Sequence, residues 1–184
     1  MILSDSEILK EIEAGNIKIT PFDLHSLGSN SYDVHLSKHL AIYDTSNEIL
    51  DAKNECELIH FEMRNGSYVL QPNRLYLAST IEYTETHKHV LFLDGKSSSG
   101  RLGIQIHLTA GKGDVGFCGH WTLEIEVTQS VRVYEGMPIG QLFYHEVKGE
   151  VINPYNKKVN AKYNNADPRP QGSRMFMNFK QKSK

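Results

Sequence analysis

The sequence predicts a mainly β domain, a distorted barrel or jelly roll preceded by one short helix. Many short segments between residues 31 and 147 combine polar–apolar alternation with β-branched and aromatic residues, which is typical of strands. Helical periodicity is sparse beyond the first residues. A chain of 184 residues can bury a substantial core but is short for two ordinary domains. We therefore expect residues 1–184 to form a single domain.

The first residues carry the helix signal. Ser4 and Glu7 have the spacing of a capping box, and the apolar residues that follow recur on one helical face. Gly15 is well placed to end such a helix, so we predict a helix over residues 4–14.

The pattern becomes that of β-strands after Pro21. The predicted strands are residues 31–43, 67–80, 89–94, 102–109, 120–128, 131–134 and 139–147. Turn sequences such as Gln71-Pro-Asn73 and Glu135-Gly-Met-Pro138 separate the apolar runs. From about residue 153 the tail is polar and contains several prolines. We expect this tail to be either disordered or ordered by a ligand or a neighbouring subunit.

Composition narrows the class of partner. The formal net charge is −2, so nothing global favours a long nucleic acid, and phosphate recognition has to be local. Cys56 and Cys118 form no C-x-x-C pair and no disulfide framework, which favours a reduced, intracellular protein. The N-terminal residues lack the features of a signal peptide. No apolar run approaches the roughly 18 residues that span a bilayer. We expect a soluble, cytoplasmic protein with no membrane partner.

One polar loop has the composition of a phosphate site. In Gly95-Lys-Ser-Ser-Ser-Gly-Arg101, hydroxyls and backbone N–H groups lie between two cations, and the glycines permit close backbone approach. Taken alone, the heptad is more often a solvated polar turn. Its spacing is not that of a Walker A loop.

Carboxylates follow on the next strand. In Trp121-Thr-Leu-Glu-Ile-Glu-Val127, alternation places Glu124 and Glu126 on one face, and the commoner outcome exposes both to solvent. If that face lines a cavity, partial desolvation would let Glu124 accept and return a proton, and Arg101 could orient it. Asp114 lies in a turn, where it could bind a sugar hydroxyl or stabilise the turn itself.

The histidines give little support for a metal. His87 and His89 could place two ligands on one strand face, but no third ligand is apparent, and a surface pair is favoured. His60 and Glu62 match the H-x-E half of the zinc deaminase signature, whereas its P-C-x-x-C half is absent. We therefore expect no zinc.

Together, the motifs resemble those of the dCTP deaminase family, which belongs to the trimeric dUTPase-like superfamily. The similar segments are Gly95-Lys-Ser-Ser-Ser-Gly-Arg-Leu-Gly103, His107-Leu-Thr-Ala-Gly111, Asp114-Val-Gly-Phe117, Thr122-Leu-Glu124, Ile139-Gly-Gln-Leu142, and Tyr155 with Lys162-Tyr163. The resemblance implies a dUTPase-like jelly roll or barrel with a closing C-terminal tail. It also implies a homotrimer whose active sites lie between subunits.

The resemblance implies a hydrolase that deaminates dCTP to dUTP and ammonia without a catalytic metal. Glu124 would be the general base and acid. Ser97 and the backbone carbonyl of Ala110 would hold the attacking water, and Arg101 would fix Glu124. The dUTP product would supply the synthesis of dUMP and dTTP, and dTTP is a candidate inhibitor.

Further residues are implied in substrate binding. Asp114 would bind the 3′-hydroxyl of the deoxyribose, and Phe117 would pack nearby and help exclude a ribose. The backbone around Thr122 and Leu123 would read the pyrimidine edge. The triphosphate, whose charge Mg²⁺ would share, would be held by the polar loop and the tail, that is by Lys96, Ser98, Ser99, Gly100, Gln141, Tyr155 and Lys162.

The sequence departs from the family pattern at several positions. Lys96 stands where the family usually has an arginine. A lysine ammonium is a point charge and cannot donate the two parallel hydrogen bonds that a guanidinium donates to phosphate. Ser99 takes a position that is usually apolar. Many relatives have a triphosphate-binding glutamine where this chain has Ala166, and Gln171 is the next glutamine along the tail.

Alternative functions remain open from the sequence. A bifunctional relative that converts dCTP through dUTP to dUMP and diphosphate would share the polar loop, Asp114 and Glu124. A plain dUTPase would need a Gly-rich C-terminal motif, which residues 169–174 match poorly. A nucleotide sensor or structural trimer would not require Lys96 and Glu124 together.

Overall fold

The computed structural model describes residues 1–46, 49–164 and 167–180. Helix α1 (Asp5–Glu13) begins after Ser4, whose Oγ accepts a hydrogen bond from the Glu7 backbone N–H at 3.4 Å. Gly15 follows the helix with a φ of +73°, in the left-handed region that glycine adopts without strain. The predicted N-terminal helix is therefore confirmed. No helix in the described ranges is long and apolar enough to cross a membrane.

The main regular elements of the remaining chain are antiparallel strands. They are β1 (Ile17–Thr20), β2 (Tyr32–Tyr43), β3 (Leu58–Glu62), β4 (Ser67–Leu70), β5 (Tyr76–Thr86), β6 (Val90–Gly95), β7 (Ile104–Gln105), β8 (Lys112–Gly113), β9 (Cys118–Val127), β10 (Val131–Tyr134) and β11 (Pro138–His145). The short helices α2 (Ser97–Arg101) and α3 (Met177–Lys180) and the 3₁₀ turns Leu24–Ser26 and Tyr155–Lys157 complete the described elements.

The strands form one large curled sheet and one small two-stranded antiparallel sheet. The large sheet has the order β7-β9-β5-β2-β11-β6-β8, with β1 added to β5 and β3 added to β2. Strands β10 and β4 pair separately. The predicted mainly β architecture is confirmed.

Strand β9 follows the predicted alternation. Trp121, Leu123 and Ile125 are buried in the core, and Leu123 and Ile125 are fully inaccessible. Glu124 lies half-buried on the opposite face, whereas Glu126 is exposed. One strand thus anchors the core and presents polar groups on its other side.

Two predicted strands are shorter than expected. The segment 67–80 divides into β4 and β5, because the chain turns at Asn73 with a φ of 61°. The segment 102–109 contributes only β7 (Ile104–Gln105). Beyond it, the Leu108 N–H donates to the Glu124 carboxylate instead of to a neighbouring strand.

Several strands were not predicted, namely β1, β3, β8 and the second half of β5. Strand β5 was missed in part because its buried positions are polar: Thr84 and Thr86 are inaccessible to solvent. The hydroxyl groups of both threonines nevertheless have hydrogen-bond partners within the protein. The Trp121 indole N–H donates to Thr84 Oγ1 at 3.0 Å, and Thr86 Oγ1 donates to the His89 carbonyl at 2.5 Å.

The described tail packs against its own chain. The Tyr155 N–H donates to the Val115 carbonyl at 2.7 Å, and the Ser173 N–H donates to the Tyr43 hydroxyl at 2.8 Å. Phe176 is buried. These contacts lie within one chain, and the expectation that a ligand or a neighbouring subunit orders the tail stays a prediction. Ala166, where many relatives have a glutamine, lies outside the described residues.

Candidate active site

A cavity of about 540 Å³ lies between β9, the loop that precedes it and the C-terminal tail. This volume is within the range of small-ligand sites. The predicted site residues that line it are Ala110, Asp114, Phe117, Thr122, Glu124 and Tyr155. A second cavity of about 530 Å³ lies between residues 55–60 and residues 167–174, and no predicted site residue lines it.

Glu124 holds the loop in front of the cavity. Its backbone N–H donates to the Ile106 carbonyl at 2.9 Å, and its Oε2 accepts from the Leu108 N–H at 3.0 Å. These two hydrogen bonds attach the loop that contains Ala110 to strand β9. The path of this loop requires glycine at position 111, where a Cβ would lie 2.3 Å from the Leu93 carbonyl oxygen.

Asp114 is an ionised acceptor in this cavity. Lys112 Nζ lies 3.0 Å from Oδ1, and Lys158 Nζ lies 3.2 Å from Oδ2. The hydrogen bond from Lys112, together with that from Lys158, lowers the pKa of Asp114 despite its partial burial. The Phe117 N–H donates to the Asp114 carbonyl at 2.9 Å and closes the turn. Neither lysine was paired with Asp114 from the sequence.

Aromatic rings form the apolar wall. The Phe117 and Trp121 rings are 4.9 Å apart between centroids, and the Tyr155 ring is 6.4 Å from that of Phe117. The Tyr155 hydroxyl accepts from the Tyr163 N–H at 2.9 Å, which fixes the tail beside this wall. Phe117 and Tyr155 thus lie together, as the predicted shared site requires.

The tail contributes Gln171 to the same cavity. Its N–H donates to Thr122 Oγ1 at 3.0 Å, and the Pro168 carbonyl accepts from the Ser79 hydroxyl. The side-chain Oε1 of Gln171 is buried and has no hydrogen-bond partner among the described residues. The sequence alone had not decided whether Gln171 takes the place of the triphosphate-binding glutamine of the relatives.

Other cavity residues, including His120, Tyr43 and Tyr163, were assigned no role from the sequence. His120 had a signal, because the β9 alternation places it on the same face as Thr122 and Glu124. Its Nδ1 lies 3.1 Å from the Thr80 carbonyl. Tyr43 had none, because it reaches the site only through folding of a distant segment. Tyr163 belongs to the Lys162-Tyr163 motif, which marked it without giving it a role.

The polar loop forms a separate group. Lys96 makes an ion pair with Asp33, and Gln141 Nε2 donates to Asp33 Oδ1 at 3.0 Å. Ser99 is buried, whereas Ser97, Ser98, Gly100 and Arg101 are exposed on α2. None of residues 96–101, all of which the structure describes, lines the cavity around Glu124.

Two further predicted residues, Leu123 and Lys162, also do not line the cavity within this chain. Arg101 has no ion pair with any carboxylate in the described residues, so its proposed action on Glu124 is not seen within one chain. Leu123 points into the core, which leaves only its backbone for a ligand. Lys162 does not line the cavity, and its carbonyl accepts from the Arg174 guanidinium.

A family model described as dCTP deaminase-like matches residues 2–147 of this sequence. The chain belongs to the dCTP deaminase-like family. The family resemblance predicted from the ordered motifs is therefore confirmed.

Similar members of this family include two proteins named dCTP deaminase, dUMP-forming. The protein from Leptospira biflexa is 47% identical over 161 residues, which cover 88% of this chain and 91% of the relative. The protein from Clostridium beijerinckii is 43% identical over 179 residues, covering 97% and 99%.

A solved structure shares the fold. The 2′-deoxycytidine 5′-triphosphate deaminase from Agrobacterium tumefaciens superposes with a TM-score of 0.63 at 20% identity. The superposition covers 83% of this chain and 49% of the Agrobacterium chain, so this chain spans about half of that protein's length.

Proposed function

We propose that this dCTP deaminase family member hydrolyses dCTP at two bonds and forms dUMP, ammonia and diphosphate. The observation that carries the proposal is the Glu124 carboxylate, which faces a cavity together with Ala110, Asp114 and Thr122. The dUMP-forming names of the Leptospira and Clostridium relatives favour dUMP as the final nucleotide. Release of dUTP, which the sequence motifs favoured first, is the second candidate.

The first step is deamination. Glu124 takes a proton from water as the water oxygen bonds to C4 of the cytosine, and it delivers that proton to N3. Glu124 then takes the proton of the new C4 hydroxyl and delivers it to the exocyclic amine. The C4–N bond breaks as the C4 carbonyl forms, and ammonia leaves. The net change is dCTP and water to dUTP and ammonia. General acid–base catalysis and positioning by the loop at Ala110 serve this step without a zinc-bound hydroxide.

Recognition of the nucleoside uses the rest of the cavity. The ionised Asp114 accepts a hydrogen bond from the 3′-hydroxyl, while Phe117 packs against the sugar. The backbone at Thr122 and Leu123 contacts the pyrimidine edge. The apolar wall of Phe117 and Trp121 excludes bulk water and strengthens these polar contacts.

The second step acts on the triphosphate. Water attacks the α-phosphorus of dUTP, and the bond to the bridging oxygen breaks, which yields dUMP and diphosphate. The substrate enters as its Mg²⁺ complex. Lys112 and Lys158, which flank Asp114, add positive charge near the bound nucleotide. The hydroxyl and cationic groups of residues 96–101 complete the phosphate site.

We assign those last groups to a neighbouring subunit. The α2 loop of one chain would complete the cavity of the next chain in a homotrimer, so that Ser97 and Arg101 meet Glu124 across an interface. Two features support this arrangement. The α2 side chains of Ser97 and Arg101 are exposed, and the loop lies outside the cavity of its own chain.

Product analysis tests the proposed function. Purified protein is incubated with dCTP and Mg²⁺, and the nucleotides are separated by anion exchange while ammonia and diphosphate are assayed. We expect dUMP, ammonia and diphosphate in equal amounts. Accumulation of dUTP would replace the dUMP-forming activity with simple deamination. Unchanged dCTP would contradict both.

A further inference from the structure

A cluster of metal-ligating side chains lies on β5 and β9 outside the Glu124 cavity. Glu85 on β5 and Cys118 on β9 are direct partners in the register of the two strands, and His87 follows Glu85 on the same segment. One ligand atom from each of the three lies within 4.8 Å of the others. None of the three lines the cavity around Glu124.

The donor set matches a borderline-soft divalent cation. Imidazole nitrogen, thiolate sulfur and carboxylate oxygen are the ligands of zinc, whereas Mg²⁺ and Ca²⁺ prefer oxygen alone. The two anionic ligands together balance a divalent charge. We propose that Glu85, His87 and Cys118 form a zinc site in which water supplies the fourth ligand.

The geometry permits entry of the ion. The His87 side chain is 37% exposed, and its Nε2 lies 2.9 Å from Glu85 Oε2. Ligand atoms this close can share one small cation, which would replace the direct hydrogen bond between the two side chains. Cys118 is buried beneath them, so an ion held there contacts solvent on one side only.

Neighbouring groups hold the ligands in place. Lys18, which pairs with Glu85 across β1 and β5, contacts Glu85 Oε1 at 3.0 Å and leaves Oε2 toward His87. The Cys118 N–H donates to Asn164 Oδ1 at 3.1 Å. Contacts of this kind fix the positions of the residues that supply metal ligands.

The site has a structural consequence. Cys118 begins β9 directly after Phe117, so a zinc ion would tie the start of that strand to β5. The ion therefore stabilises the turn that carries Asp114 and Phe117 and takes no part in bond cleavage.

The sequence had paired His87 with His89, but His89 cannot join this cluster. It is buried, and its Nε2 lies 3.1 Å from Glu11 Oε2. The interpretation of His87 and His89 as a surface pair is therefore wrong for His89. The third ligand was hidden from the sequence because Cys118 comes from another strand. The proposed site therefore replaces the expectation of no zinc, which rested in part on the lack of a third ligand.

Cobalt(II) is the probe for this site. The full chain, without a tag, is stripped with a chelator and titrated with Co²⁺ while near-ultraviolet absorbance is recorded. We expect a thiolate-to-cobalt charge-transfer band that saturates at one Co²⁺ per chain and disappears when Zn²⁺ is added. Cys118→Ser should abolish the band. Cys56→Ser, which removes the other free cysteine, should retain it.

Histidine variants provide a second test that does not alter a buried residue. His87→Ala should weaken Co²⁺ binding by about tenfold or more, whereas His60→Ala should not. Zn²⁺ should raise the Tm of the wild type and of His60→Ala, but not that of His87→Ala. A wild type without the charge-transfer band would overturn the proposal, as would a band that persists in folded Cys118→Ser or equal binding by the two histidine variants.

Discussion

At the scale of single residues, two glutamates on one face of β9 have different environments. Glu124 is half-buried, lines the cavity and accepts the Leu108 N–H, whereas Glu126 is exposed and does not line the cavity. Alternation predicted their shared face but not this difference. The difference arises because the loop of residues 106–111 and the tail cover only one of the two positions.

Substitution Glu124→Gln tests the role of the first glutamate. The amide keeps the shape of the side chain but cannot take a proton from water, so kcat should fall by about 10²–10⁴-fold. Binding of dCTP, measured by calorimetry, should remain close to that of the wild type. Glu126→Gln is the matched control and should keep its rate of ammonia release. A Glu124→Gln protein that still deaminates dCTP at the wild-type rate would contradict the proposed role of Glu124 as general base and acid.

Gln171 gives a second prediction at this scale. Its buried Oε1 lacks a partner among the described residues, and we expect it to bind a donor group of the nucleotide. Gln171→Ala should cost about 1 kcal/mol of binding, or about a fivefold rise in KM for dCTP.

Met175→Ala, in the exposed part of the same tail, is the control for Gln171→Ala and should leave KM unchanged. The KM for dCTP of both variants is measured by steady-state kinetics. A KM for Gln171→Ala equal to that of the wild type would show that the side chain does not contact the substrate.

At the scale of elements, one carboxylate joins helix α1 to the sheet. Burial raises the pKa of Glu11, but hydrogen bonds from Lys88, His89 and Asn16 outweigh it and lower the pKa to about 2. Lys88 Nζ lies 2.9 Å from Oε1, and Asn16 Nδ2 lies 2.7 Å from Oε2. The charged form of Glu11 therefore stabilises the folded state.

This pKa predicts an acid-dependent contribution to stability. The contribution of Glu11 is fully present above its unfolded pKa of 4.5 and is lost as the pH falls toward 2. Glu11→Gln should lower the free energy of unfolding at pH 7 by about 1–3 kcal/mol. At pH 3, the difference in the free energy of unfolding between Glu11→Gln and the wild type should be smaller than at pH 7.

Urea denaturation at the two pH values measures this effect. Glu13→Gln, on the same helix and exposed, is the control and should behave as the wild type at both. A difference for Glu11→Gln that is equal at pH 7 and pH 3 would contradict the assignment.

The elements differ in how far the sequence predicts them. Helix α1 and strands β2, β9 and β10 follow from capping spacing and alternation, because each has one apolar face and one polar face. The second half of β5 does not follow, since its buried face carries Thr84 and Thr86. Thr84 Oγ1 accepts from the indole N–H of Trp121 on β9, and Thr86 Oγ1 donates to the carbonyl of His89, three residues along the chain. Local patterns carry no information about a distant partner such as Trp121.

At the scale of the whole molecule, the predicted site separates into two groups. Asp114, Phe117, Thr122 and Glu124 line one cavity, whereas the α2 loop lies elsewhere on the same chain. The sequence motifs predicted both groups but could not place them, because their relation depends on the folding of the sheet and, in the proposed trimer, on contacts between subunits.

This separation makes complementation the most direct test of the central claim, which is that one site built from two chains deaminates dCTP. Glu124→Gln and Arg101→Ala are each expected to be inactive alone. When equal amounts are unfolded and refolded together, a site is intact where an Arg101→Ala chain supplies the cavity and a Glu124→Gln chain supplies the loop. Random cyclic trimers then predict about a quarter of the wild-type sites active. Ammonia release near that level would support the account. No recovery in folded mixed trimers, or full activity of Arg101→Ala alone, would contradict it.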